Sequence, residues 1–321
     1  MPARSAPLFL LALFLLAHSN ALSLSDSAPD FLLKTAPRPA GMGGAFTAVP
    51  LDPIGLFWNP AAALRSNRLS FSHNHSLRHF PGARKNLDQL DSDTAAAVFP
   101  LRGDNVLGLG FSVPGEWGID HNDTNGVLKE KERFRGRERR IAGSDLRAGA
   151  RSRAGELDSN WYRDDSGPGG RTFQSGAGFS FFYETDNGMM YGFNVRGLAS
   201  LLKKQGAAGK TSPDVKVTLG AAYREDPRAD TLAAADLELH WKKTFRTRFF
   251  AGAERGFDDK FFLRAGNMDG SPTYGAGVRF GSVRLDYAEV KNFLPKISGD
   301  NASTLFQDAH FFSYTVSIKN D

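Results

Sequence analysis

Past residue 68 the chain alternates apolar and polar side chains with a period of two, the repeat of an extended strand. In 172–184, Phe173, Ala177, Phe179, Phe181 and Tyr183 share one face, while Gln174, Gly176, Gly178, Ser180 and Glu184 fill most of the other. Val215, Val217, Leu219, Ala221 and Tyr223 alternate with Asp214, Lys216, Thr218, Gly220 and Arg224. Leu237, Leu239 and Trp241 oppose Asp236, Glu238, His240 and Lys242, and Val283, Leu285 and Tyr287 oppose Ser282, Arg284 and Asp286. The last such segment sets Phe312, Tyr314, Val316 and Ile318 against Phe311, Ser313, Thr315 and Ser317.

Alternation alone suits a soluble sandwich as well as a barrel in lipid. Segment length separates them: several run about 10 residues, the span of a tilted membrane strand, where soluble strands average about 5–6. The opposing face also carries Arg, Lys, Asp, Glu and Gly, as a watery or plugged lumen would. Twelve strands are counted, near 68–78, 92–101, 105–113, 172–185, 189–201, 214–225, 231–242, 246–256, 259–267, 272–281, 282–290 and 308–318. The connections 79–91, 114–171, 202–213 and 291–307 are long, whereas 102–105, Asp186-Asn187-Gly188, Phe257-Asp258 and Gly281-Ser282 are tight. One rim of short periplasmic turns and one of longer external loops would give this rhythm. An even count returns both termini to the periplasm, and 114–171 has room for a further pair, making fourteen. A sheet in lipid must close, because no water satisfies its edges. The expected fold is therefore all-β: a transmembrane antiparallel barrel over 68–321, with 114–171 as a long external loop.

The N-terminal part is different. Arg4 precedes an apolar run, Leu8–Ala17, of about 10 residues, too short to span a membrane as a helix but right for a secretory signal. Small residues at Ser19 and Ala21 predict cleavage after Ala21, leaving 22–67 ahead of the first strand. That segment contains Arg38-Pro39-Ala40-Gly41-Met42-Gly43-Gly44-Ala45-Phe46-Thr47-Ala48, then Asp52-Pro53-Ile54-Gly55-Leu56-Phe57-Trp58-Asn59-Pro60-Ala61-Ala62-Ala63-Leu64. It is too irregular for a membrane strand and too apolar for a free tail. A compact plug packed against backbone inside the lumen fits it.

These residues resemble the N-terminal signature of the PorV/PorQ-type outer-membrane proteins, a branch related to the FadL/TodX long-chain fatty acid transporters. The resemblance extends weakly to Phe261–Gly281, to Leu285-Asp286-Tyr287-Ala288 and to the His310–Ile318 strand. It implies a 14-stranded barrel whose N-terminal segment folds into the lumen as a hatch. It makes Gly41, Met42, Gly43, Gly44, Asp52, Asn59, Pro60 and Ala61 hatch residues. Gly, Pro and Asn serve backbone geometry first, and ligand contact is the second role such positions admit. The fatty acid transporters pass hydrophobic molecules, and the secretion-associated members handle protein cargo.

Composition narrows the chemistry. With no Cys there is no disulfide, thiolate or Cys-ligated zinc, and 26 Phe argue against a disordered chain. Lys129–Arg153 holds ten Lys or Arg against four acids, a net +6 that exceeds the +4 of the whole chain beyond Ala21. A solvated loop is one account of it. The other is that Arg133, Arg135, Arg137, Arg139 and Arg140 on the external rim pair with phosphates of lipopolysaccharide. No aromatic platform is interleaved, so nucleic acid is not the expected partner.

No nucleophile elbow, zincin motif, P-loop or dinucleotide fingerprint occurs, so neither a catalytic residue nor a cofactor is expected. His73 and His75 share a face with Leu69, Phe71 and Leu77 and could hold a metal with His79, although a membrane-interface position suits them better. Arg196, Lys216, Arg224, Asp236, Glu238, Arg264, Arg279, Arg284 and Asp286 are expected to face the lumen, as cross-strand ion pairs and plug contacts or as a polar path. The expected activity is passage of small hydrophobic molecules through a hatch-plugged outer-membrane barrel. The alternative is a barrel that binds secretion-system proteins or cargo and conducts nothing. An apolar lumen pocket of about 300–1,000 Å³ would separate the two.

Overall fold

The computed structural model describes residues 36–65, 68–78, 90–101, 106–114, 117–122, 128–148, 151–164, 171–198, 215–225, 231–241, 245–291 and 308–318. The expected signal segment, with its cleavage point after Ala21, lies outside them. Among the described residues fifteen strands form one antiparallel sheet. They are β1 Leu69–Arg78, β2 Leu90–Pro100, β3 Val106–Pro114, β4 Trp117–Asn122, β5 Leu128–Ala148, β6 Arg151–Asp164, β7 Arg171–Glu184 and β8 Met189–Arg196. β9 Val215–Arg224, β10 Thr231–Trp241, β11 Phe245–Phe257, β12 Phe261–Met268, β13 Ser271–Phe280, β14 Val283–Val290 and β15 Ala309–Ile318 complete it.

Two pairings close the sheet on itself. β15 runs beside β1, with Leu69 opposite Ile318 and Arg78 opposite Ala309. β3 runs beside β5, with Val106 opposite Ser144 and Ser112 opposite Glu138. The ring so formed has fourteen strands. β4 stands outside it, paired along the first part of β5 from Trp117 opposite Phe134 to Asn122 opposite Leu128.

The stretch 114–171 is thus not a single external loop, because it contributes β5 and β6 to the wall. Much of the basic run lies on β5, where Arg139 stands opposite Phe111 and Arg140 opposite Gly110. Hydrophobicity misses this strand because its alternation is one of charge. Lys129, Lys131, Arg133, Arg135, Arg137 and Arg139 take every second place, with Glu130, Glu132, Gly136 and Glu138 among the residues between.

The side chains sort as the period of two requires. Eighteen large apolar side chains on the described strands are exposed, among them Phe179, Leu219, Leu263, Leu285 and Tyr314, and in each strand they occupy the outward places. The inward places hold Ser70, Ser72, Asn74, Thr94, Ser180, Asn194, Thr218, Asp236 and Glu254, all buried. Water would penalise this arrangement. A hydrocarbon surround is what it fits, and the closed ring leaves no unpaired wall edge within it.

The turns Thr185–Gly188, Asp258–Lys260 and Gly281–Ser282 lie on the rim that also carries Leu69 and Ile318. Asp258, Asp259 and Gly281 take positive φ there, as tight hairpins need. The opposite rim is not uniformly long-looped, since β12 and β13 join there through Asp269–Gly270 alone. A ring of this kind should migrate faster unheated than boiled in detergent gels. Identical migration of the two samples would be incompatible with closure.

Candidate functional site

Residues Ala36–Leu64 lie inside the ring. Met42, Ala45, Phe46, Leu56, Ala61, Ala63 and Leu64 are completely inaccessible, and Ile54, Phe57 and Trp58 nearly so. Three short helical pieces build the segment: α1 at Pro37–Gly41, a 3-10 turn at Pro53–Phe57 and α2 at Pro60–Ala63. The local sequence sets each start. A residue before proline is held extended, which is also the N-cap conformation, and proline tolerates the first helical position because it needs no donor there. Asp52 and Asn59 occupy those cap positions. Asp52 Oδ1 accepts from the Ile54 amide at 3.2 Å, and Asn59 Oδ1 from the Ala61 amide at 3.0 Å. After α1 the chain turns through Gly43 and Gly44, with φ of 64° and 80°.

The segment rests on a track of wall glycines. Gly192 on β8 is directly opposite Gly220 on β9, and Gly252 on β11 is opposite Gly266 on β12. A Cβ at Gly192 would stand 2.1 Å from the Thr47 carbonyl oxygen, and one at Gly252 2.3 Å from that of Met42. At Gly266 it would meet the Gly43 nitrogen at 2.4 Å. Backbone lies on backbone, which only glycine allows.

Polar contacts fix the position along this track. Asp236 Oδ2 on β10 accepts from the amides of both Phe46 and Thr47 at 2.9 Å. Thr273 on β13 accepts from the Gly43 amide and donates to the Gly41 carbonyl, each at 3.1 Å. Asn59 Nδ2 donates to the carbonyls of Thr47 and Phe181 at 2.7 and 3.1 Å, the Arg196 guanidinium donates to that of Phe57, and the Trp58 indole to that of Gly44 at 3.1 Å. Asn59→Ala removes one cap and leaves one buried and one half-buried carbonyl short of a donor, an expected loss of about 1–3 kcal/mol in docking of the segment. Asn59→Asp keeps the cap oxygen but loses both donated bonds, so it should be at least as damaging. Limited proteolysis within 36–64 reads both.

The strongest anchor is a closed ring of six buried charges. Arg38 grips Glu254 of β11 bidentately, Nε to Oε2 at 2.9 Å and NH2 to Oε1 at 2.7 Å. Glu254 Oε2 also accepts from Arg264 Nε of β12 at 2.6 Å. Arg264 meets Asp286 of β14 at 2.7 Å, and Asp286 accepts from Arg284 Nε at 2.7 Å. Arg284 NH2 donates to Asp52 Oδ2 at 2.9 Å, and Arg38 NH1 to the same oxygen at 3.1 Å, which completes the circuit. Three guanidinium groups face three carboxylates, as buried charge requires. The Phe262 ring is flanked by Arg264, Arg279 and Arg284, 5.1 to 5.8 Å from its centroid.

The sequence-derived site residues are placed as follows. Gly41, Met42, Gly43, Gly44, Asp52, Asn59, Pro60 and Ala61 are all in the enclosed segment. Arg196, Asp236, Arg264, Arg284 and Asp286 contact it or belong to the charge ring. Lys216 and Glu238 are buried farther toward the loop rim, where Glu238 approaches Arg248 at 3.6 Å. Arg224 and Arg279 stand at the turn rim instead, Arg279 bound to the exposed Asp259 at 2.9 Å. His73 and His75 face outward and meet Asp93 at 3.4 and 3.0 Å, while His79 lies outside the described residues. Among the described residues no cluster of three His, Asp or Glu could hold a metal. Arg38 and Glu254 received no role from the sequence. The available signal was a buried arginine in a mostly apolar enclosed segment, whose single carboxylate, Asp52, leaves room for a further partner on the wall.

The chain matches no protein-family model and no curated protein. Solved structures do resemble it. The Ralstonia pickettii toluene transporter TbuX aligns with a TM-score of 0.68 over 90% of this chain and 99% of its own, at 13% identity. The P. putida toluene transporter TodX gives 0.64 over 90% and 100%, at 13% identity. A Pseudomonas aeruginosa FadL homologue gives 0.60 over 88% and 98%, at 12% identity. The fold of the described residues is that of these barrels.

Proposed function

We propose that this protein is an outer-membrane channel for small hydrophobic molecules, with Ala36–Leu64 as its hatch. The carrying observation is that a separate segment fills a closed membrane barrel and is held there by polar contacts rather than by continuous sheet. Such a plug can move without unzipping the wall. Barrels of the same fold include the Ralstonia pickettii and P. putida toluene transporters, which supports the solute class. On this reading no catalytic step and no cofactor take part. Apolar burial draws the solute in, and hatch displacement lets it through. The arginines of β5 add a second element. Lys129–Arg137 lies beyond the last β3 partner, toward the loop rim, where lipopolysaccharide phosphates would meet it.

The test is uptake of radiolabelled toluene and of a long-chain fatty acid by cells whose own hydrophobic channels are deleted. Saturable uptake that depends on this protein is expected. Uptake no faster than that of cells carrying an unrelated closed barrel would reject the channel reading.

One observation favours a second reading, a PorV/PorQ-like barrel that handles secreted protein. Apart from the exposed Leu51, the segment's large apolar side chains are sealed against wall and backbone, and among the described residues an apolar cavity of about 610 Å³ lies on the outer wall. Under that reading no solute is taken up, and exported proteins cross-link to the loop rim.

A further inference from the structure

That outer cavity is a groove with a definite construction. It crosses β12–β15 and β1 on the lipid-facing side. Register sets its two banks. Val278, Leu285, Tyr314 and His73 stand in one row across successive strands, and Ala276, Tyr287, Phe312 and His75 in the next. Between the rows fall Gly277, Asp286 and Ser313, which turn inward, so the floor is bare backbone. Four interstrand steps of about 4.8 Å give the groove a length of roughly 19 Å. Its walls are apolar until β1, where His75 and His73 converge on Asp93, a carboxylate more than half exposed.

We infer that this groove holds one acyl chain of an aminophospholipid, with the ammonium of the head group at Asp93. The wall faces hydrocarbon, so what covers the groove in a membrane is a chain of methylenes, and the volume lies within the range of small-molecule sites. A carboxylate is costly inside hydrocarbon, which sets the Asp93 end at head-group level. Negative charge there attracts an ammonium and repels the phosphates of lipid A. The remainder of the chain lies across the strands between Leu285 and Tyr287. This site is independent of whether the lumen conducts.

The test uses the full protein in vesicles of phosphatidylethanolamine and phosphatidylglycerol, with a photoactivatable diazirine in one acyl chain of the phosphatidylethanolamine. Labelled peptides are mapped by mass spectrometry. Labelling of β13–β15 should exceed that of the outward residues of β9–β11 about tenfold. Unlabelled phosphatidylethanolamine should compete, and phosphatidylglycerol or lipid A should compete at least tenfold less well. Ala276→Phe, which fills the groove from an exposed lipid-facing place, should reduce the label to that of β9–β11, with heat-modifiable migration showing that the barrel still closes. Asp93→Asn should keep the labelled site but lose the head-group preference. Label spread around the belt in proportion to exposure, or equal competition by lipid A, would overturn the assignment.

Discussion

Arg38→Met should make a thiol at Thr47→Cys react with a membrane-impermeant maleimide about a hundredfold to several thousandfold faster than in the Thr47→Cys protein alone. The chain has no native cysteine and Thr47 is fully inaccessible, so reaction reports exposure of the plug. Arg38 is the link between Glu254 and Asp52. Removing it leaves a buried excess of one negative charge, and breaking a buried pair on one side costs about 3–5 kcal/mol. At about tenfold per 1.4 kcal/mol, that sets the range. The decisive variant is the double one. Arg38→Met with Glu254→Gln restores equal numbers of cations and anions, so it should react more slowly than Arg38→Met by itself. If the two substitutions merely add, the six groups do not act as a unit.

Gly252→Ala should displace the same segment by a different route. Its new Cβ would lie 2.3 Å from the Met42 carbonyl oxygen, with backbone on both sides and no side chain free to rotate away. Overpacking of this type costs about 1–3 kcal/mol, and more where neither partner yields. Frequent long-lived openings in planar bilayers are the expected result, with little change in heat-modifiable migration. Ala253→Val is the control, one residue away on the same strand but pointing outward. Equal effects from the two would show that the glycine track does not carry the plug.

What could be read in the sequence follows the range of the forces involved. A strand's inward and outward faces depend on residues two apart, so the walls from β7 to β15 were legible from Phe179, Leu219 or Leu285 directly. Asp52 and Asn59 were legible as members of the enclosed segment, but their cap roles came only from the structure. β5 was hidden because its two faces differ in charge rather than in hydrophobicity. Arg38 and Glu254 are 216 residues apart, and nothing near either names the other. Glu254 was harder still, because its inward neighbours Gly252 and Gly256 carry no side chains to mark the face. Arg224 and Arg279 have the inward parity but stand at the strand ends. Parity fixes a face and says nothing of depth.

The division of the six charges between plug and barrel has a consequence for movement. The plug contributes Arg38 and Asp52, and the wall contributes Glu254, Arg264, Arg284 and Asp286, so each half is neutral by itself. Contacts already join the members within each half. Parting the two halves strands no lone ion on either side, and each retains partners while they are separate. On the proposed channel reading, such a joint can open and reseat at less cost than an equally strong one with its cations on one half and its anions on the other.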